Sequence, residues 1–227
     1  MALTIKSTKD IANFKHINAL VYGQSGIGKT VLCATAPKPL ILDSENGLLS
    51  LSNTQVDSAE INNLNDLKEA FKFLSEAKHE YQTVCVDSLS EVAEKVLIEY
   101  KAVERDPRAA YGKMAEEIFA VVRKFKQLPL HVIFTAKQTR IEDAFTGKST
   151  FGPSFPGQQL PLNLPYQLDL VLALRIGQKD GNKFRFIQPQ PDVQYDAKDR
   201  TGILDSKEKP NLSDLIAKIQ TTKPTPF

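Results

Sequence analysis

Gly23-Gln24-Ser25-Gly26-Ile27-Gly28-Lys29-Thr30 is a complete G-x-x-x-x-G-K-[ST] stretch, and its reading decides the fold. The apolar run of residues 17–22 leads into it as a strand, and Thr30-Val31-Leu32-Cys33-Ala34 leaves it as a helix that Pro37 ends. These flanks give the match its meaning, because a phosphate-binding loop has to join a buried strand to a helix N-terminus. The glycines allow backbone turns closed to other residues and bring N–H groups close to phosphate oxygens. The helix start adds roughly half a positive charge aimed at the same place. Gly23, Gln24, Ser25, Gly26, Ile27, Gly28, Lys29, Thr30 and Val31 are therefore the candidate nucleotide-binding residues. Lys29 would reach the β- and γ-phosphates of ATP, and the Thr30 hydroxyl would take one position on a magnesium ion, which needs only one or two protein ligands. A glycine-rich turn without a ligand is the plain alternative.

The rest of the chain supplies strands and helices in alternation. Pro39-Leu40-Ile41-Leu42-Asp43 reads as a second buried strand, running into the polar turn Ser44-Glu45-Asn46-Gly47. A helix follows from residue 65, with Leu67, Ala70, Phe71, Leu74 and Ala77 on one face. Thr83-Val84-Cys85-Val86-Asp87 is a third strand, apolar until its closing carboxylate, as strands of covered parallel sheets are. Helices are expected near residues 90–101 and 107–127, and a fourth strand at residues 131–135. Residues 141–165, rich in glycine, proline and phenylalanine, read as a long loop without periodicity. A fifth strand at residues 167–176 turns through Asp180-Gly181 into residues 183–187, and a short helix lies near residues 212–219. The expected architecture is one α/β domain over residues 1–220: a doubly wound, mainly parallel sheet with a C-terminal β-hairpin extension, followed by a disordered tail at residues 221–227.

Composition narrows the function classes. At 227 residues with 41% hydrophobic content, the chain can bury one sizeable core, and a net charge of +2 does not by itself argue for nucleic acid. Cys33 and Cys85 sit in apolar patterns far apart in sequence and read as reduced, buried residues. His16, His79 and His131 lack metal-ligand spacing and read as structural or surface residues. Lys6, Lys9 and Asp10 interrupt any leader-like apolar core, and no run approaches the ~20 apolar residues of a membrane span, so a cytoplasmic protein away from membranes is expected.

Chemistry-bearing residues cluster just past strand ends, where open α/β sheets bind ligands. Asp87 suits the magnesium partner of Thr30, or a helix cap. Glu45 suits the carboxylate that activates a water for hydrolysis, or an exposed turn. Gln138, beyond the fourth strand, suits a γ-phosphate contact that passes the nucleotide state to the following segment, or a solvated glutamine. Arg140, Phe145, Lys148, Phe151 and Phe155 interleave cations with aromatics, a pattern suited to single-stranded nucleic acid and equally to a nucleotide lid or to core phenylalanines. Lys101, Arg105, Arg108 and Lys113 form a second basic stretch, which would line the same groove or a solvated helix junction.

Taken in order, these stations resemble the RecA-type ATPase core. Ile41-Leu42-Asp43-Ser44-Glu45 resembles that family's strand ending in its catalytic glutamate. Val84-Cys85-Val86-Asp87-Ser88 resembles its Walker B strand, and Ile133-Phe134-Thr135-Ala136-Lys137-Gln138 the strand ending in its phosphate-sensing glutamine. The short length and the Asp43-Ser44-Glu45-Asn46-Gly47-Leu48 run are similar to minimal RecA-like, phage-encoded single-strand annealing proteins. The resemblance implies ATP and magnesium as ligands, Lys29, Glu45 and Gln138 as catalytic residues, and DNA-binding loops at residues 101–113 and after Gln138, Lys137 included. It further implies single-stranded DNA as partner, a homo-oligomeric ring or filament, a single-strand-binding protein as a second partner, and a neighbouring subunit's basic residue completing the site, with Arg185, Lys198 and Arg200 as candidates. A small-molecule kinase and a nucleotide-gated interaction module with little hydrolysis share the same loop and remain alternatives.

Overall fold

The computed structural model describes residues 16–142, 147 and 149–222. Strand β1 (Asn18–Gly23) carries the phosphate loop into helix α1 (Lys29–Ala34), and β2 (Pro39–Asp43) follows. After a single 3-10 turn, Leu48–Leu51, the chain makes β3 (Asp57–Glu60), α2 (Leu64–Glu76), β4 (Thr83–Asp87), α3 (Leu89–Val103) and α4 (Pro107–Phe125). Then come β5 (His131–Glu142), β6 (Ser149–Ser154), α5 (Gln159–Gln167), β7 (Leu170–Lys179), β8 (Asn182–Gln188), β9 (Lys198–Asp199) and α6 (Leu212–Thr221).

The strands form one sheet in the order β3-β2-β4-β5-β1-β7-β8, with β6 on β5 and β9 on β7. All pairings from β3 across to β7 are parallel; the three antiparallel ones are β5 with β6, β7 with β8, and β7 with β9. The fourth expected strand, β5, does lie between the first and third, which sets its carboxyl end beside the phosphate loop.

Side-chain alternation along these strands divides the core in two. Leu20, Leu42, Val86, Phe134 and Val171 pack with α2, α3, α4 and α5 on one face. Val21, Ile41, Cys85, Ile133 and Leu172 pack with α1 and α6 on the other. Both sheet faces are covered, so the central strands read as continuous apolar runs. Local signals set the helix starts. Asn63 and Asp66 form a reciprocal capping box on α2, the Ser88 hydroxyl accepts from Glu91 N at the start of α3, and Asp106 caps α4 just before Pro107.

The described residues among 141–165 differ from the expected loop. β5 runs on to Glu142 and pairs with β6 from Lys137↔Ser154 to Glu142↔Ser149, and α5 follows. Gly152 and Pro153 lie in β6, whose only partner among the named strands is β5; its other side meets the chain just at the Phe151↔Tyr195 bridge, and proline is tolerated at such an edge. Pro161 and Pro165 break up the helical signal of α5, although Leu160 and Leu164 form its buried face. Gln167 therefore ends a helix, and the expected fifth strand begins at Leu170 instead. Thr221, placed by sequence in the tail, is the last residue of α6; residues 223–227 lie outside the described residues. No helix among the described residues is long and apolar enough to cross a membrane.

Candidate active site

The phosphate loop closes β1 in the conformation its glycines require. Gly26 and Gly28 have φ of +71° and +102°, in the left-handed region. Gly23 serves differently from the expected turn: a Cβ there would sit 2.9 Å from Leu174 O, so the residue permits close approach of β7. The first turn of α1 has no side-chain cap, leaving its N–H groups available to an anion. Lys29 folds back over the loop, its Nζ donating to Gly23 O (3.1 Å) and Gln24 O (3.2 Å). Burial pulls the Lys29 ammonium below its usual range, and the nearby Glu45 and Asp87 carboxylates work against that shift.

Opposite Lys29 stand the ends of β4 and β2. Asp87 is buried and accepts from the Thr30 hydroxyl (2.6 Å) and, on its other oxygen, from the Thr135 hydroxyl. Burial raises its pKa, and these two hydroxyl bonds act to lower it. Because Thr30 gives its proton to Asp87, its oxygen lone pairs remain free for a cation. The two strand ends are stitched together: Ser44 N donates to Asp87 O, Ser44 Oγ donates to Ser88 O, and Ser88 N donates to Ser44 Oγ. Ser88 Oγ in turn donates to Glu45 Oε1 (2.5 Å).

Asp43 aims Glu45. Its buried carboxylate accepts from Glu45 N (3.0 Å) and Gly47 N (3.1 Å), bending the turn so that Glu45 lines the cavity with Lys29, Thr30 and Asp87. That cavity holds about 490 Å³, within the range of small-molecule sites. Lysine, threonine hydroxyl, two carboxylates and an uncapped helix start are the donor set that a nucleoside triphosphate with magnesium needs, and the residues present fit it.

The other sequence-derived candidates are scattered. Gln138 is half-buried on β5, one residue past the last β1 pairing (Gly23↔Lys137), and does not line the cavity. Lys137 holds Glu91 and Glu94, each at 2.9 Å, so its charge is already matched by α3. Phe155 is 8% exposed in the core, which corrects its reading as a base-stacking platform: one buried ring has no free face to offer. Phe151 is half-buried and packs on Tyr195 at 5.0 Å between ring centroids. Arg140 is exposed on the β5–β6 hairpin, and Arg105 and Arg108 are exposed at the α3–α4 corner. Phe145 and Lys148 lie outside the described residues.

Among the neighbour-subunit candidates, Lys198 donates to Pro165 O and Leu168 O, and Arg200 to Tyr166 O. Both are engaged near β9, which pairs with the start of β7, while the phosphate loop lies beyond the β7 residues that pair with the end of β1. Arg185 instead lines the cavity of its own chain. Sequence reasoning missed the roles of Asp43, Ser88 and Thr135. An aspartate directly ahead of a polar turn is a recognisable turn-former, whereas the serine and threonine carry no signal apart from their strand-end positions.

No curated protein matches the chain. The crystal structure of a KaiC-like protein from the hyperthermophilic archaeon Pyrococcus horikoshii is similar over 76% of this chain and 77% of that one, with 12% identity and a TM-score of 0.44. The profile of the AAA domain family matches residues 15–201, which span the phosphate loop, both strand-end carboxylates and the β7–β8 hairpin. The chain is a P-loop nucleotide-binding fold, and it belongs to the AAA domain family.

Proposed function

We propose that this protein binds and hydrolyses ATP with magnesium and couples the nucleotide to single-stranded DNA, promoting strand annealing in recombination. The observation that carries the ATPase reading is the convergence of Lys29, Thr30, Asp87 and Glu45 on one cavity at the carboxyl end of the sheet. Lys29 and the loop N–H groups bind and orient the phosphates. Thr30 and Asp87 would hold magnesium, which supplies charge neutralisation at the phosphoryl oxygens. Glu45 accepts the proton of the water that attacks the terminal phosphorus. Its hydrogen bond to Ser88 and the Asp43 turn keep the carboxylate at the cavity wall.

What supports the DNA reading is charge and connection. β5 runs without a break from beside the phosphate loop to a hairpin bearing the exposed Arg140, and Arg105, just ahead of α4, and Arg108, in its first turn, are exposed at the α3–α4 corner. With Phe155 in the core and Lys137 paired, this interface relies on backbone phosphates more than on base stacking. Annealing as the output, a homo-oligomeric assembly and a single-strand-binding partner are supported by the resemblance to minimal RecA-like proteins. The test is ATP turnover without nucleic acid and with single-stranded DNA, duplex DNA and RNA, alongside particle mass with and without ATP. Stimulation by single-stranded DNA that falls steeply with salt is expected. Turnover indifferent to every nucleic acid would overturn the DNA reading, and ATP-dependent phosphorylation of an added nucleoside would replace the proposal with a kinase.

A further inference from the structure

We infer that Arg185 binds the polyphosphate of the nucleotide in cis, as a clamp delivered to the phosphate loop by the β7–β8 hairpin of the same chain. The inference rests on the nucleotide reading above and adds a residue to that site. The resemblance led to the opposite expectation, a basic residue arriving from a neighbouring subunit.

Three observations carry it. Alternation along β8 sets Arg185 on the face of Ile187, which packs in the α1-side core with Leu172, Leu174 and Leu32, while Phe184 and Phe186 alternate to the other face. The guanidinium reaches the loop itself: a Cβ built on Gly28 would meet Arg185 Nε at 3.7 Å and Cζ at 4.0 Å. Among the described residues Arg185 makes no salt bridge, although it stands at the wall of a cavity containing Lys29 and Thr30. A fully ionised guanidinium with five donors, held at a phosphate loop and unmatched by a carboxylate, is suited to phosphate oxygens, which it can take two at a time.

The hairpin that delivers it is stiff. Asp180 and Gly181, at φ of +52° and +80°, close a two-residue turn between Lys179 and Asn182. On the far face the Phe184 ring covers Gly177, leaving no room for a Cβ there, and Phe186 packs beside it with Arg175 and Lys207 over its ring. The backbone of Arg185 is thus fixed before any ligand arrives, which limits the ordering cost of the contact to its own side chain.

Equilibrium binding of ATP, ADP and inorganic tripolyphosphate to the full chain and to Arg185→Gln and Arg185→Lys tests the clamp. Arg185→Gln should weaken all three by about 10-fold to 100-fold, with Arg185→Lys recovering part of the loss. Hydrolysis measured on a mixture of Arg185→Gln and Lys29→Ala chains separates cis from trans action. At ATP below saturation, a cis arginine leaves the mixture no more active than its Arg185→Gln chains alone, because no chain has both residues. Unchanged affinity in Arg185→Gln, loss confined to ATP and ADP with tripolyphosphate unaffected, or recovery of turnover on mixing would each overturn the inference. Absence of ATP binding by the unaltered chain would instead overturn the nucleotide reading on which it stands.

Discussion

Asp43→Asn separates the positioning of Glu45 from the grip on phosphate. Asp43 is 5% exposed, and its two carboxylate oxygens accept from Glu45 N at 3.0 Å and Gly47 N at 3.1 Å. Asparagine keeps one acceptor, now neutral, and turns an NH2 group toward the other N–H. One charge-assisted bond is lost and a second is weakened, a cost of about 1–2 kcal/mol for bonds of this kind. For a domain of this size that corresponds to a fall in Tm of about 2–8 °C. The larger effect should fall on catalysis, because a displacement of about 1 Å in a catalytic group can cost 100-fold in rate. Lys29 and Thr30 are held by β1, α1 and β4, away from this turn, so phosphate binding should persist. Steady-state ATP hydrolysis, paired with a thermal melt, is therefore expected to give kcat lower by about 10-fold to 100-fold with KM nearly unchanged. A raised KM at normal kcat, or a melt and a rate both unaltered, would refute the assignment of Asp43 as the residue that aims Glu45.

Other expectations follow from burial. Burial, with a smaller contribution from His16, lowers the His131 pKa to about 4, and its Nδ1 accepts the Ile17 amide at 3.2 Å, which the protonated ring could not do. The unfolded chain would take up this proton near pH 6.5, so His131 withdraws stability as pH falls from about 6.5 to 4, amounting to about 1–2 kcal/mol after allowance for solvent screening. Urea melts of His131→Gln against the unaltered chain should show a flatter pH dependence in that window, and identical slopes would contradict it. Phe155→Ala should cost about 3 kcal/mol or more in stability with DNA affinity per folded molecule unchanged, whereas Arg140→Ala should leave the melt unchanged and reduce the salt slope of DNA binding. A DNA defect in Phe155→Ala at full stability would restore the stacking reading.

The sequence exposed the parallel sheet because its central strands are covered on both faces and therefore apolar throughout, as at Leu40-Ile41-Leu42 and Val84-Cys85-Val86. It concealed elements whose stability comes from tertiary contacts. β3, Asp57-Ser58-Ala59-Glu60, is a polar edge strand held by backbone pairing to β2, and β6 contains a glycine and a proline that ordinarily signal a loop. The hairpin they concealed is pinned from below by Tyr22, whose hydroxyl donates to Phe151 O at 2.9 Å across 129 residues, a contact that no local pattern encodes. At the site, the phosphate-loop motif nominated Thr30, strand-end position nominated Asp87, and Glu45 needed the family resemblance beside its position to stand out from an exposed turn. They did not separate Phe155 from a surface aromatic, because burial on α5's side of the sheet depends on a helix that Pro161 and Pro165 obscure. Nor did they assign Arg185 to its own chain, since that depends on the direction in which β8 presents alternate side chains.

ATP turnover at this site requires a triphosphate that the Gly23–Thr30 loop would hold and a magnesium ion that Thr30 and Asp87 would hold. Calorimetric titration of ATP into the unaltered chain, with magnesium and again with a chelator, measures this directly, with Lys29→Ala as the comparison. Binding that magnesium strengthens and that Lys29→Ala abolishes is the predicted result. ATP binding of equal strength in the chelated solution and in Lys29→Ala would contradict the account.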